Sequence, residues 1–130
     1  MLRDGSLFCA LASLLGGGSD RVGAAREAAS KAQAVVIAKG YRTVIANPDG
    51  EVWINPTGDH RLASGGSGDV LTGCVGALLA QGLEPVRAAL VGCWLHGRAG
   101  EIGGERYPAA VPAGQLPEMI AKAWRELEEL

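Results

Sequence analysis

Four consecutive residues, Val35-Val36-Ile37-Ala38, are apolar without a break, and three of them are β-branched. A run this short and continuous, with no polar alternation, predicts a strand covered on both faces. It follows an alanine-rich stretch that begins at Asp20, a good helix N-cap, and runs to Gln33. Val22, Ala25, Ala29 and Ala32 recur there on one face at helical spacing, and their small side chains imply close packing on a neighbour. A helix leading into a doubly covered strand places the chain in the α/β class, as part of a layered sandwich.

The next segments support that class. Arg42 to Ala46 and Glu51 to Ile54 predict two strands joined by Asn47-Pro48-Asp49-Gly50, where Pro presets φ and Gly closes a type I turn. A loop from Asn55 to Gly66 follows, holding Pro56, Gly58 and the charged trio Asp59-His60-Arg61. From Ser67 the apolar period becomes helical. Val70, Leu71, Cys74, Val75, Leu78 and Leu79 form the stripe, and Gly73, Gly76 and Ala77 would let another element approach closely. Gln81-Gly82 stops this helix. Glu84-Pro85 opens another, lined by Val86, Ala89, Leu90, Cys93 and Gly97, with His96 near its C-terminal end, where the helix dipole would favour a charged imidazole in a structural role. Pro117 begins a last amphipathic helix whose inner face is Met119, Ile120, Ala123, Trp124 and Leu127, while Glu126, Glu128 and Glu129 read as a solvated face.

Composition narrows the range of partners. The chain has 130 residues, with 20 Gly, 6 Pro, 48% hydrophobic and 20% charged residues, so it is globular rather than collagenous or disordered. Twelve basic residues are scattered among 14 acidic ones for a net charge of −2. No basic patch is formed, so nucleic acid is not an expected partner. No apolar run approaches the ~20 residues of a membrane span, and Leu7 to Leu15 lacks the flanks of a signal peptide. Cys9, Cys74 and Cys93 are odd in number and lack C-x-x-C spacing. With His60 and His96 they make no zinc pattern, and reduced thiols fit a cytoplasmic protein. Cys74 and Cys93 read as core thiols, and Trp53 and Trp94 as packing aromatics that could also stack on a base.

The stretch richest in chemistry is Gly65-Gly66-Ser67-Gly68-Asp69, at the point where a loop becomes a helix. The first turn of a helix exposes unpaired N–H groups and a partial positive charge, and glycines let an anion reach them. Donors preorganised on a developing charge supply about 2.7–4 kcal/mol each, far more than a solvated helix end. A carboxylate at Asp69 would repel a resting phosphate, so it makes more sense as a base acting on a hydroxyl that attacks phosphorus. Competing motifs fail: Asp69 replaces the last Gly of G-x-S-x-G, no Lys follows the loop as in Walker A, and Leu71 stands where a Rossmann fingerprint needs Gly. On pattern alone, a tight loop with Asp69 as a mere cap stays open. Lys39, ending a strand beside Gly40, sits where ligands commonly meet a sheet, although an exposed strand-end lysine looks the same.

Gly65-Gly66-Ser67-Gly68-Asp69-Val70-Leu71-Thr72-Gly73, preceded by Asn55-Pro56-Thr57-Gly58 and by Lys39-Gly40-Tyr41-Arg42-Thr43-Val44, resembles the ribokinase-like NAD(P)H-hydrate dehydratases. The resemblance runs from about Asp20 to the C-terminus, and His96-Gly97 with Ala99-Gly100 fits the same pattern. It implies a ribokinase-like three-layer α/β/α sandwich, of which this chain resembles only the C-terminal part. It also implies nicotinamide nucleotide repair, in which the hydrate's hydroxyl is phosphorylated from ADP or ATP with Mg²⁺ and phosphate is then eliminated. On that resemblance Lys39, Gly40, Tyr41, Arg42 and Thr43 would bind the adenylate, and Gly68 would touch the nucleotide too. The N–H groups of Gly65, Gly66, Ser67 and Gly68 would form the anion hole. Asp69 would contact the hydrate and act as base. Thr57 is left as a turn hydroxyl.

The family's His-Pro-Gly-Glu stretch falls on Leu7, Phe8, Cys9 and Ala10, so residues 1–19 read as an atypical lead-in to the resembling portion, 20–130. Part of a sandwich would leave a sheet edge and apolar faces uncovered, so the chain is expected to self-associate or to be only marginally stable. Two other readings stay open: a small-alcohol kinase of the same superfamily, and a nucleotide-binding remnant without catalysis.

Overall fold

The computed structural model describes residues 20–130 together with the backbone of strand β1, Leu7–Ala10. The lead-in residues 1–6 and 11–19 lie outside the described residues. Helix α1 (Arg21–Ala32) is followed by strands β2 (Val35–Ala38), β3 (Val44–Ala46) and β4 (Val52–Ile54), then by helices α2 (Ser67–Ala80), α3 (Pro85–Gly103) and α4 (Leu116–Glu128). The sheet runs β1-β2-β3-β4, with β1 parallel to β2 and the remaining pairs antiparallel.

The doubly covered strand is real, and its period of two divides the core. Val35 and Ile37, with Ile45 of β3, face Leu71, Val75 and Leu78 of α2 and Ala88, Ala89 and Cys93 of α3. Val36 and Ala38, with Val44 and Ala46, face Ala25 and Ala29 of α1. One helix on one face and two on the other give three layers. α4 packs outside this sandwich on the far end of α3, through Ala99, Val111, Leu116 and Met119. Each fully buried Leu, Ile or Val contributes about 1.5–3 kcal/mol by leaving water. The larger side chains crowd the α2–α3 face, so most of this stabilisation lies there.

Local chemistry explains the element ends. The Asp20 carboxylate accepts the Gly23 N–H at 2.8 Å, and a Cβ on Gly23 would strike that carboxylate at 2.2 Å. The hairpin turn closes with Gly50 N–H donating to the Asn47 carbonyl at 3.0 Å.

Several sequence expectations need correction. Ala32 is exposed rather than packed: it shares the face of Ala25 and Ala29 but is the last residue of α1, outside the cluster they form with β2 and β3. The first hairpin strand begins at Val44, not Arg42. Arg42 adopts a left-handed φ of 59° and the Thr43 hydroxyl donates to the Gly40 carbonyl at 3.2 Å, so residues 40–43 form a turn. Gly73, Gly76 and Ala77 are exposed, and a Cβ on either glycine would meet nothing within 4 Å. The close approach between α2 and α3 is made by Gly92, whose Cβ would lie 2.6 Å from Val75. α3 continues to Gly103, so His96 is in mid-helix, away from the C-terminal dipole. Glu126 is not merely solvated: both of its oxygens accept from Arg98, at 2.6 and 3.1 Å. Trp53 packs against the α2–α3 core.

Candidate functional site

Residues 39–43 follow β2 at the end of the sheet, and Arg21 holds them there. Its guanidinium donates to the carbonyls of Tyr41 at 2.7 Å and Ala38 at 3.1 Å, fastening the turn to the start of α1. The Arg42 guanidinium lies 5.3 Å from the Tyr41 ring centroid and donates to the Pro56 carbonyl at 3.2 Å. Tyr41 is left 71% exposed, an aromatic face at the cavity rim. Nothing in the sequence marked Arg21, because an arginine after an N-cap has many other uses.

A loop descends from β4 onto α3 and forms the opposite wall. Asn55 is buried, and its amide donates to the Cys93 carbonyl at 3.0 Å and to the Thr57 hydroxyl at 3.1 Å. The Thr57 hydroxyl lies 3.0 Å from the Trp94 carbonyl, to which it donates. α3 receives this loop on a glycine track. A Cβ on Gly97 would lie 2.2 Å from Thr57 Oγ1, and one on Gly100 would lie 2.6 Å from Leu62. The Gly58 N–H donates to Glu101 at 3.0 Å, and Arg98 ties Glu101 to Glu126 of α4. These hydrogen bonds hold the Arg98 guanidinium still more firmly protonated and pull the Glu126 carboxyl below its ordinary range. Asn55 and Thr57 are therefore wall-builders that a turn reading missed. The signal was the glycine spacing of α3 at positions 97 and 100.

Between the two walls lies a cavity of about 370 Å³, within the range of small-ligand sites. Lys39, Gly40, Tyr41 and Thr43 line one side, Asn55, the 57–60 segment, Leu62 and Ala63 another, and Ser67, Leu71, Cys93, His96 and Gly97 the floor. Of the residues singled out in the sequence, Lys39, Gly40, Tyr41, Thr43 and Ser67 line it. Arg42, Gly65, Gly66, Gly68 and Asp69 do not. Gly66 is the N-cap of α2 at φ 87°, a backbone that glycine adopts without strain. Gly65 stands in open space. Gly68 adjoins the cavity through Lys39: a Cβ at Gly68 would sit 2.9 Å from Lys39 Nζ. Asp69 is exposed in the first turn of α2.

The electrostatics favour an anion. The Ser67 N–H is spent on the Ser64 carbonyl at 3.2 Å and the Val70 N–H on the Gly66 carbonyl at 3.2 Å, and the N–H groups of Gly68 and Asp69 have no backbone acceptor among the described residues. An ammonium placed against the positive end of a helix repels it unless a negative group joins both. His96 does not add to this charge. Burial first, and Lys39 second, push its pKa down to about 4, against a hydrogen bond to the Ser67 backbone that raises it. The sequence expectation of a charged imidazole is thus reversed. His96 Nε2 lies 2.9 Å from the Ser67 carbonyl and 3.3 Å from Ser67 Oγ. A carbonyl only accepts, so Nε2 carries the proton and cannot serve as base toward Ser67. Ser67 is 2% exposed besides, which rules it out as a nucleophile.

The chain is similar to known proteins over most of its length. The family model described as NAD(P)H-hydrate dehydratase matches residues 6–122, reaching back into the lead-in. The bifunctional NAD(P)H-hydrate repair enzyme Nnr of Moorella thermoacetica is 50% identical over 111 residues, 85% of this chain and 21% of that protein. The ADP-dependent (S)-NAD(P)H-hydrate dehydratase of Neisseria meningitidis is 44% identical over 109 residues, 84% of this chain and 36% of that one. The crystal structure of the Bacillus subtilis ADP/ATP-dependent NAD(P)H-hydrate dehydratase, co-crystallized with ATP/Mg²⁺ and soaked with CoA, superposes with a TM-score of 0.77 at 38% identity, covering 82% of this chain and 40% of that chain. The chain thus spans between 21% and 40% of the length of these relatives.

Proposed function

The chain belongs to the NAD(P)H-hydrate dehydratase family, and on that premise we propose that residues 20–130 carry the nucleotide and phosphoryl end of an ADP- or ATP-dependent dehydration of NAD(P)H hydrate. The observation that supports this best is the meeting of Lys39 with Gly68 at the start of α2, beside two N–H groups that have no backbone acceptor among the described residues. A transferring phosphoryl would satisfy all three donors at once. The turn Lys39, Gly40, Tyr41, Arg42 and Thr43 would hold the adenylate, with the exposed Tyr41 ring available to a base. At the end of the glycine loop the Gly68 and Asp69 N–H groups would supply the anion hole; the Ser67 N–H, expected to join them, is held instead by the Ser64 carbonyl.

In this reading Asp69 takes the proton of the hydrate's hydroxyl as its oxygen bonds to phosphorus. The phosphoryl–oxygen bond of the nucleotide breaks, and AMP leaves when ADP is the donor. The carbon–oxygen bond of the phosphorylated hydrate then breaks as the neighbouring carbon gives up a proton to water, so that a carbon–carbon double bond forms and phosphate and the reduced cofactor are released. Mg²⁺ fits as an ion carried by nucleotide phosphates. The described residues hold no group of three or more His, Cys, Asp or Glu that could cage a metal, and Mg²⁺ typically takes one or two carboxylates plus phosphates. Bound there, it would neutralise phosphate charge, and Asp69 is the carboxylate nearest the anion hole in sequence.

No described helix is long and apolar enough to cross a membrane. A second reading, nucleotide binding without turnover, has one observation in its favour: Asp69 is exposed and outside the cavity lining.

The test is release of phosphate and reduced cofactor from the hydrate with Mg²⁺ and ADP or ATP, alongside calorimetric binding of ADP. Lys39→Met should weaken ADP binding about tenfold, the scale of a lost charge-assisted hydrogen bond. Asp69→Asn should keep ADP binding and lose about 10²–10⁴ in turnover, the usual yield of a positioned base. Equal turnover by the Asn variant removes Asp69 from the role. Accumulation of a stable phosphate ester identifies a kinase instead, and ADP binding with no turnover by the unsubstituted chain favours the second reading.

A further inference from the structure

His96 is buried to 4% exposure and the phosphoryl chemistry above gives it no part, yet it bonds to the peptide on which that chemistry depends. The Ser67 carbonyl and the Gly68 N–H belong to one planar trans peptide unit and point in opposite directions; no peptide bond among the described residues is cis. Whatever fixes the carbonyl therefore aims the N–H. The carbonyl is fixed at 2.9 Å by Nε2–H of His96, in addition to the bonding of α2 itself. The Ser67 hydroxyl, 3.3 Å from the same nitrogen, keeps the contact polar, and both residues are buried at the cavity floor.

The platform beneath is rigid on both sides. Gly92 lets α3 seat on Val75 one turn before His96, and Gly97 lets Thr57 seat on α3 immediately after it. Donation to a carbonyl also polarises the amide, which strengthens the N–H at its other end. We propose that His96 is a positioning residue, which holds the Ser67–Gly68 peptide so that the Gly68 N–H meets the terminal phosphoryl of the bound nucleotide. This rests on the phosphoryl reading of the α2 terminus and adds to it the part that aims the donor.

The experiment compares His96→Gln and His96→Met with the unsubstituted chain. The Gln amide places a donor near the Nε2 position without an imidazole, whereas Met fills similar volume without a donor. Calorimetry with Mg²⁺ and ADP should show about a tenfold loss for H96M and less than about a twofold loss for H96Q, on the scale of one hydrogen bond. AMP, which lacks the terminal phosphoryl, should bind all three alike. In the absence of nucleotide, the Gly68 amide resonance should move in H96M and stay near its original position in H96Q. Equal ADP affinity in H96M, equal losses for ADP and AMP, or an H96Q as impaired as H96M each overturns the proposal. A chain that binds no ADP at all, while Gly68 responds to the two variants as expected, defeats the phosphoryl reading and with it the purpose assigned to His96, leaving only the hydrogen bond.

Discussion

His96 and Lys39 show how two basic side chains in one cavity divide their labour. Lys39 brings the charge and His96 brings a donor without charge, because burial and the nearby ammonium both oppose a second proton on the imidazole. Linkage gives this a measurable sign. An unfolded histidine titrates near its ordinary value of 6.5, while the folded one titrates at about 4. The unfolded chain therefore binds more protons between these values, and stability is complete above the upper one and lost as pH falls through the window. The loss has an upper bound of roughly 3 kcal/mol at 1.36 kcal/mol per unit. Urea midpoints measured from neutral pH down to about pH 4 should fall for the unsubstituted chain and change much less for His96→Gln. A Gln variant that tracks the original would place the titrating group elsewhere.

At the scale of elements, the glycines of α2 and α3 look alike in sequence and behave in opposite ways. Gly97 touches the backbone of Thr57, so that Gly97→Ala would force its Cβ to within 2.6 Å of a backbone carbon. Backbone gives way less readily than a flexible side chain, and this variant should lose about 1–3 kcal/mol of stability together with ADP binding, as the wall carrying Asn55 and Thr57 lifts from α3. Gly76 is exposed with nothing within 4 Å, so Gly76→Ala should gain about 0.8–1 kcal/mol from helix propensity alone. Thermal melts of the two variants check both signs. The sequence located α2, the start of α3 and the turn 47–50 to within a residue or two, because periodicity and turn chemistry are local, but it ended α3 near His96, short of Gly103. It could not say which glycine meets a neighbour, since that depends on where the 55–63 loop crosses α3. The same limit hid Arg21 and Asn55, whose partners lie 17 and 38 residues away.

For the molecule as a whole, the consequence of this layering is an open flank. The described sheet ends at β4, which pairs with β3 on one side only. Its residues grow more exposed along the strand, from Val52 and Trp53, each half-buried, to Ile54 at 56% exposure. The layered class was legible in the apolar run at Val35 and an uncovered edge was expected of a partial sandwich, whereas which strand forms it was not, since a strand's own residues do not say whether another strand adjoins it. An outer strand with unpaired backbone groups and an exposed isoleucine is a template for another strand. Self-association, expected from the sequence for a partial sandwich, should then run through β4. Sedimentation velocity over a range of concentrations should show the unsubstituted chain shifting toward a dimer. Ile54→Lys, which sets a charge on the edge, should hold it monomeric at every concentration while leaving ADP binding intact, because Ile54 does not line the cavity. A compact monomer at all concentrations in both proteins would mean that β4 protects its own edge. A dimer that survives the lysine would place the contact on another face, where the groove between α2 and α4 along Gly73, Ala77 and Ile120 is the next to alter.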